Sequence, residues 1–178
     1  MKTLNSLTLI FFLQAMLFIF MITIPSSHSI TFHPNNNNDL IENICSTAPY
    51  YDICIRILTS GSPTADIWGL SVLMVNDMEA KAKEALAKIN ELQRSGTGSK
   101  TSLDSCLKEY NAILEDDIPK AREALQKRDA KISEGALNDV VNEATKCETD
   151  FPGYLTEQNT VMHDVAADTI HIFKLLHS

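Results

Sequence analysis

Residues 64–94 read TADIWGLSVLMVNDMEAKAKEALAKINELQR and carry the clearest periodic pattern in the chain. Apolar side chains recur there at steps of three and four, the spacing that lines one face of an α-helix. They are Ile67, Leu70, Met74, Met78, Ala82, Ala85, Ile89 and Leu92. Breaker residues flank the pattern, TSGSP at 59–63 and SGTG at 95–98. One long helix with a single apolar face is therefore predicted over 64–94.

Three further long helices are predicted after it, over 101–125, 131–151 and 157–176. Thr101 and Asp104 have the spacing of a capping box at the start of the first of them. Pro119 is expected to kink that helix, because proline lacks an N–H and its ring crowds the preceding turn. The inner face of the same helix is predicted to consist of Leu103, Cys106, Tyr110, Ile113, Asp117, Ala121 and Leu125.

Two short helices are predicted before the long ones, over 39–47 and through Cys54 to Leu58, with a turn at Pro49-Tyr50-Tyr51. The links between the four long helices are too short to carry the chain back along a bundle, so neighbouring helices must be antiparallel. The sequence thus predicts an all-α fold. We expect an up-down-up-down four-helix bundle at 64–178 with an N-terminal α-hairpin extension at 30–63.

The first 29 residues predict a secretory signal peptide. Lys2 precedes an apolar run at 7–24, and Pro25 and the small residues of Ser27-His28-Ser29 follow it. A membrane anchor is the alternative, because about 18 apolar residues is the lower limit for spanning a membrane. Pro25 and the small-residue exit favour cleavage before Ile30. The mature chain, 30–178, would then be secreted to the extracellular space and free of the membrane.

Composition limits the function classes. The 178 residues include 15 Lys and Arg against 23 Asp and Glu, a net charge of −8, and 44% are apolar. That apolar content is too high for a disordered tail. A sequence pI near 5.0 argues against a nucleic-acid partner, which requires clustered basic residues. Loss of Lys2 with the signal peptide makes the net charge of the mature chain −9.

All four cysteines lie in the mature chain, where an oxidising compartment favours disulfides. Three pairings are possible. Cys45 and Cys54 are nine residues apart with Pro49 between them, so we pair them as a local clasp. Cys106 and Cys147 then pair across antiparallel neighbours and close a loop of about 40 residues, which stabilises the fold by roughly 4 kcal/mol. A metal site is the alternative, but the spacing fits no zinc pattern and no cofactor is predicted.

Catalytic motifs are missing from the sequence. It contains no G-x-S-x-G, no H-E-x-x-H and no glycine-rich phosphate loop. His163 and His171 are expected at the rim of a helix, and Trp68 and Tyr110 are expected in the core rather than in a ligand pocket. Residues 115–117 (EDD) are expected to form a solvated acidic patch. We therefore predict neither an enzyme nor a small-molecule substrate.

The cysteine spacing and five short segments together resemble the plant invertase and pectin methylesterase inhibitor family over residues 39–176. The segments are TAPYYD at 47–52, ADI at 65–67, LMV at 73–75, AKAK at 80–83 and IPKA at 118–121. The resemblance implies a short α-hairpin packed on a disulfide-bonded bundle. It also implies a secreted inhibitor that docks non-covalently and stoichiometrically on a carbohydrate enzyme of the cell wall or vacuole.

The invertase branch of the family inserts a Pro-Lys-Phe motif between two bundle helices into the sucrose pocket, where the lysine meets catalytic carboxylates. The corresponding residues here are Ala130, Lys131 and Ile132, so the lysine is retained while the proline and the phenylalanine are not. The resemblance therefore implies that these three residues contact the target enzyme. The alternative for Lys131 is an ordinary surface lysine at the start of a helix.

Three functions follow from this interpretation. The 73–75 and 80–83 segments and Lys131 favour inhibition of an acid invertase (β-fructofuranosidase). Inhibition of pectin methylesterase (pectinesterase) is the alternative, with the bundle helices covering the pectin cleft, and net charge does not discriminate between the two targets. A bundle that binds an apolar ligand or acts in defence is a third possibility and predicts a sizeable apolar cavity. We expect delivery to the apoplast, with the vacuole as the other destination.

Overall fold

The computed structural model describes residues 37–61 and 65–176, so the predicted signal peptide lies outside the described residues. Within those ranges the chain forms helices and no strand. In chain order they are α1 Asn37–Cys45, α2 Tyr51–Leu58, α3 Ile67–Ser95, α4 Lys100–Ala112, a π-helical segment Ile113–Asp117, α5 Ile118–Gln126, α6 Ala130–Asp150 and α7 Thr156–Leu175.

The long helices form the predicted bundle. The first rod of the bundle is α3, and the second is α4 with the π-helical segment and α5. The third and fourth rods are α6 and α7, and these two pack against each other most extensively. The side chains of the predicted α3 stripe from Leu70 to Leu92 are buried, whereas Ile67 at its start is only partly buried. The all-α prediction and the four-helix bundle are confirmed.

The ends of α3 are set by local hydrogen bonds. The Asp66 side chain accepts from the Gly69 N–H at 2.9 Å, which makes Asp66 the N-cap and starts the helix three residues after the predicted start. Gly96 ends it with φ 67°, a left-handed conformation that glycine adopts without steric cost. The Thr97 N–H then bonds to the Leu92 carbonyl at 3.0 Å, which satisfies an open carbonyl of the last turn.

The capping box predicted at Thr101 is wrong. Helix α4 begins at Lys100, and its N-cap is Ser99, whose backbone is extended and whose side chain makes no capping bond. Thr101 therefore already lies inside the first turn. Asp104 pairs instead with Lys100 and accepts a hydrogen bond from Gln93 at 3.2 Å, which ties the end of α3 to the start of α4.

Pro119 interrupts its helix at the predicted place, and the interruption is a widened turn. Five residues, Ile113–Asp117, adopt π-helical geometry immediately before α5, and Pro119 is the second residue of α5. Proline has no N–H to donate to the preceding turn and its ring crowds that turn, so a widened turn before Pro119 relieves the clash. The π segment thus ends one regular helix and allows another to start at the proline.

The expectation that Asp117 is solvated is wrong. Its side chain is buried with 3% of the residue exposed, and it shares a hydrogen bond with Glu143 of α6. Burial, followed by the hydrogen bond and the charge of Asp117, raises the pKa of Glu143 to about 9, and burial raises the pKa of Asp117 as well. Glu143 therefore keeps its proton at neutral pH. Glu115 and Asp116 are exposed as expected.

Both disulfides join the predicted partners. Cys45 is bonded to Cys54 with a Cα–Cα distance of 5.5 Å, and Cys106 is bonded to Cys147 with a distance of 4.7 Å. All four cysteines are fully buried, and none is left free. The second bond joins α4 to α6 at the end of the bundle where α4 begins and α6 ends, as antiparallel packing requires.

The α1–α2 hairpin packs on the bundle against α3 and α7. In its turn, the Tyr50 N–H donates to Asp168 Oδ1 at 2.8 Å, and Thr47 Oγ1 lies 2.9 Å from His171 Nε2. Ile44 and Leu58 bury apolar surface in the common core. The boundary predicted between 63 and 64 stays a prediction, because residues 62–64 are outside the described ranges.

Candidate enzyme-contact surface

The predicted contact residues are the first three residues of α6, directly after the turn between α5 and α6. Helix α5 ends in a Schellman motif, with the Arg128 N–H on the Leu125 carbonyl at 3.0 Å and the Asp129 N–H on the Ala124 carbonyl at 2.8 Å. Arg128 has φ 55° and is the only non-glycine residue with positive φ in the described part of the chain. The turn therefore has one defined backbone conformation, fixed by hydrogen bonds on both sides of Arg128.

Helix α6 begins directly after this motif. Asp129 is its N-cap, and the carboxylate accepts from the Ile132 N–H at 3.1 Å. The buried Ser133 hydroxyl donates to the Ala121 carbonyl at 3.3 Å and so ties the first turn of α6 to α5. These contacts fix the direction in which the first residues of α6 leave the turn.

The three predicted contact residues differ in exposure. Ala130 is buried with 4% exposed and packs in the core, so its side chain is not available to a partner. Lys131 is exposed, and it makes no hydrogen bond or ion pair with any described residue. Ile132 is 57% exposed. The turn therefore presents an unpaired cation beside an exposed apolar group.

The turn is also a basic region on an acidic protein. Residues 120–131 hold five Lys and Arg and two acids, a local net charge of +3 against −8 for the whole chain. Lys120, Arg122 and Lys127 pair with Asp117, Glu79 and Glu123 respectively. Arg128 and Lys131 have no ion pair among the described residues, so the unpaired positive charge is concentrated at the turn itself.

A contact that the sequence analysis missed joins this turn to α3. The guanidinium carbon of Arg128 lies 5.6 Å from the centroid of the Trp68 ring, within cation–π range. Trp68 is partly buried against the core on the first turn of α3. The predicted topology contained the signal for this contact, because an up-down-up-down bundle places the start of α3 at the same end as the turn between the second and third rods.

The other residues singled out from the sequence lie at the rim of a helix or in the core. His163 lies 3.0 Å from Asp164 and His171 bonds to Thr47, both at the rim as expected. Tyr110 is fully buried and donates to Asn159 Oδ1 at 2.9 Å. No group of three or more His, Cys, Asp or Glu among the described residues could hold a metal ion.

Polar side chains line the cavity between the hairpin, α3 and α7. Its volume is about 170 Å³, and it is lined by Arg56, Lys81, Glu84, Glu157, Gln158 and Val161. Such a lining does not suit the apolar ligand of the third hypothesis. In the described part of the chain no helix has the length and apolar content to cross a membrane.

The fold and the surface define a class: a disulfide-clamped helical bundle with a basic turn at one end. Comparison with known proteins identifies the family. Residues 39–175 match the family model described as plant invertase/pectin methylesterase inhibitor, and the chain belongs to this family. The family resemblance noted from the sequence is thereby confirmed.

One curated relative and two solved structures are similar to the chain. It is 30% identical over 142 residues to the cell wall / vacuolar inhibitor of fructosidase 1 of Arabidopsis thaliana, covering 78% of this chain and 69% of that protein. A mutant form of a pectin methylesterase inhibitor from Arabidopsis has a TM-score of 0.66 at 16% identity, over 76% of this chain and 95% of that one. A pectin methylesterase inhibitor from Arabidopsis thaliana has a TM-score of 0.60 at 17% identity, over 78% and 96%. The two structures share the fold with this chain.

Proposed function

We propose that the mature chain is a secreted inhibitor, not an enzyme, and that it docks non-covalently and one-to-one on an acid invertase. The observation that carries the proposal is the 30% identity to a protein named as a fructosidase inhibitor. The predicted signal peptide supports delivery to the cell wall, with the vacuole as the second destination. The target is a protein, and neither a nucleic acid nor a cofactor takes part.

Lys131 carries the docking in this proposal. A lysine that enters a pocket of paired carboxylates forms charge-assisted hydrogen bonds, which are about twice as strong as neutral ones. Lys131 has no ion pair among the described residues. Binding of the Lys131 side chain to a partner therefore breaks no described contact of the inhibitor. Electrostatic attraction between the basic turn and such a pocket would also speed association.

The neighbours of Lys131 have different parts in the contact. Ile132, 57% exposed, would bury apolar surface against the rim of the pocket in place of the aromatic residue of the family motif. Ala130 is buried, so it would contribute only through its backbone and through the start of α6. We therefore expect Lys131 and Ile132 to supply the side-chain contacts.

Pectin methylesterase is the second candidate target. The observation that favours it is the fold similarity to two pectin methylesterase inhibitors, which this chain covers over 95% and 96% of their lengths. In that mode the faces of the bundle helices, rather than Lys131, would form the contact. Substitution of Lys131 would then leave inhibition unchanged, which separates the two candidates.

The test is titration of the purified secreted protein into an acid invertase while sucrose hydrolysis is followed. We expect saturable inhibition that is complete near equimolar protein. Lys131→Glu should abolish it, because a carboxylate would then face the carboxylates of the pocket. Lys108→Glu is the matched control, since Lys108 is an exposed lysine in α4 with no ion pair among the described residues, and it should inhibit as the wild type does.

Two results would contradict the proposal. Unchanged sucrose hydrolysis at a large excess of inhibitor, together with a loss of pectin de-esterification, would assign the chain to the second target. No effect on either enzyme would favour a bundle without an enzyme target.

A further inference from the structure

We propose that Trp68 is a positioning residue for the enzyme contact: its ring holds Arg128 in the left-handed conformation that directs Lys131 and Ile132 outward. This inference rests on the proposed function, because it assigns a role within the same surface. Neither Trp68 nor Arg128 belongs to the predicted contact residues. Both lie at the end of the bundle where α3 begins and α5 ends.

The first step is the conformation of Arg128. The residue after a helix C-cap is commonly glycine, because positive φ brings the Cβ of other residues close to the backbone. Arginine occupies this position here with φ 55°. A side chain in an unfavourable backbone region persists where surrounding contacts fix it. For Arg128 those contacts are the two backbone bonds of the Schellman motif and the Trp68 ring.

The second step is the connection between the turn and the rest of the bundle. The other polar contacts of residues 127–132 stay within α5 and α6 in the described part of the chain. The Arg128–Trp68 contact is the one that reaches α3. Trp68 itself is fixed, because Asp66 caps the first turn of α3 and the indole packs on the core.

The third step is the consequence for Lys131. Lys131 is three positions after Arg128, and the α6 N-cap lies between them, so the φ of Arg128 sets the direction of the first turn of α6. Loss of the ring would leave the charge of Lys131 unchanged but would release the turn from α3. Inhibition should then weaken through a less ordered turn, without loss of any group that touches the enzyme.

The experiment combines inhibition with amide hydrogen exchange. Trp68→Ala should raise the inhibition constant toward acid invertase about fivefold, the size expected for one lost cation–π contact. Exchange of the Asp129 and Ile132 amides should become faster in the free protein. Trp68→Phe keeps a ring face, so its inhibition constant and its exchange rates at Asp129 and Ile132 should stay close to those of the wild type. Val72, one turn further along α3, is 40% exposed. Val72→Ala is therefore the control for loss of surface apolar area, and it should change neither the inhibition constant nor the exchange rates.

A double-mutant cycle separates positioning from direct contact. Arg128→Ala keeps the Cβ that disfavours positive φ and removes the cation that contacts the ring, so it should weaken inhibition about as much as Trp68→Ala does. If the two residues act through one contact, the double variant is no weaker than either single variant. Fully additive losses would mean that Trp68 touches the enzyme itself and would overturn the inference. Wild-type potency in Trp68→Ala would overturn it as well.

Failure of the inference and failure of the proposed function give different results. The exchange rates are measured without any enzyme, so unchanged Asp129 and Ile132 exchange in Trp68→Ala refutes the positioning role even if the chain inhibits nothing. Absence of inhibition by the wild type refutes the proposed function. If Trp68→Ala does not fold, Trp68→Leu supplies the same test, because it keeps apolar volume while it removes the ring face.

Discussion

Asp168 lies where the hairpin meets the bundle. Its replacement by asparagine should flatten the pH dependence of the free energy of unfolding. Asp168 is fully buried, and one of its oxygens accepts the Tyr50 N–H at 2.8 Å. The other oxygen, Oδ2, is buried without a hydrogen-bond partner among the described residues. Burial raises the pKa of Asp168 to about 6 despite the bond from Tyr50, because the charged form loses its hydration. Asparagine keeps the acceptor for Tyr50 and has no charge to bury.

The expected magnitude follows from proton linkage. The folded state holds the proton up to a pKa of about 6, whereas an exposed aspartate releases it near 3.8. The folded protein therefore binds more protons in this range, and its stability falls as the pH rises through it. Between about pH 4 and pH 7 the free energy of unfolding of the wild type should fall by roughly 2 kcal/mol, a loss that Asp168→Asn does not show. At about 3 °C per kcal/mol for a domain of this size, the difference in Tm between the two proteins changes by roughly 6 °C.

The assay is denaturant unfolding of the wild type and Asp168→Asn at both pH values. Other ionisable side chains lie close by. They are His163 and Asp164 on α7, Tyr50 in the hairpin turn, and His171 with Lys174 beyond it. Burial lowers the pKa of His171, so that group alone makes the fold less stable as the pH falls and opposes Asp168. Taking the difference between variant and wild type at each pH removes these shared contributions.

The matched control is Asp52→Asn, which makes the same side-chain change at an exposed aspartate of the same hairpin. If the stability of Asp168→Asn changes with pH as much as that of the wild type, the buried carboxylate does not titrate as described. The reasoning from its burial would then be refuted.

Two further predictions concern the bundle. Glu143→Gln should remove a decline in stability that the wild type shows as the pH rises from about 5 toward 9, because the folded protein keeps the proton of Glu143 up to a pKa of about 9. Thermal unfolding across this range is the measurement, and an unchanged decline in Glu143→Gln would contradict the raised pKa of Glu143. Replacing Cys106 and Cys147 together by serine should cost about 4 kcal/mol of stability, and replacing Cys45 and Cys54 about 2.5 kcal/mol, because the loops they close differ in length, with separations of 41 and 9 residues. Equal losses for the two double variants, measured by denaturant unfolding without reductant, would argue against loop closure as the cause.

Much of the fold was predictable from the sequence because it depends on periodicity and on chain length between helices. The spacing from Leu70 to Leu92 specifies a buried face, and short links impose antiparallel neighbours. The pairing of Cys106 with Cys147 then follows from the topology, since both residues reach the same end of the bundle.

The errors arose where a side chain from a distant element decides the local outcome. The predicted inner face already included Asp117, but a run of three acids also fits a solvated surface. In the packed bundle Asp117 is buried and interacts with Glu143, which comes from another helix. Thr101 and Asp104 have the spacing of a capping box, yet Asp104 pairs with Lys100 and Gln93 instead, so the helix starts earlier.

The candidate surface was predictable only in part. The family resemblance selected Lys131 and Ile132, and both are exposed. It could not indicate that Ala130 is buried, because that depends on how α6 leaves the Schellman turn. The contact between Arg128 and Trp68 joins residues 60 positions apart in the sequence, and only the packed bundle brings them together.

Calorimetric titration of the purified inhibitor into acid invertase tests one-to-one docking through Lys131 most directly. We expect a stoichiometry of one inhibitor per active site, loss of binding heat for Lys131→Glu, and wild-type binding for Lys108→Glu. Binding of Lys131→Glu with wild-type affinity would contradict docking through this turn, and an absence of binding by the wild type would contradict the invertase target itself.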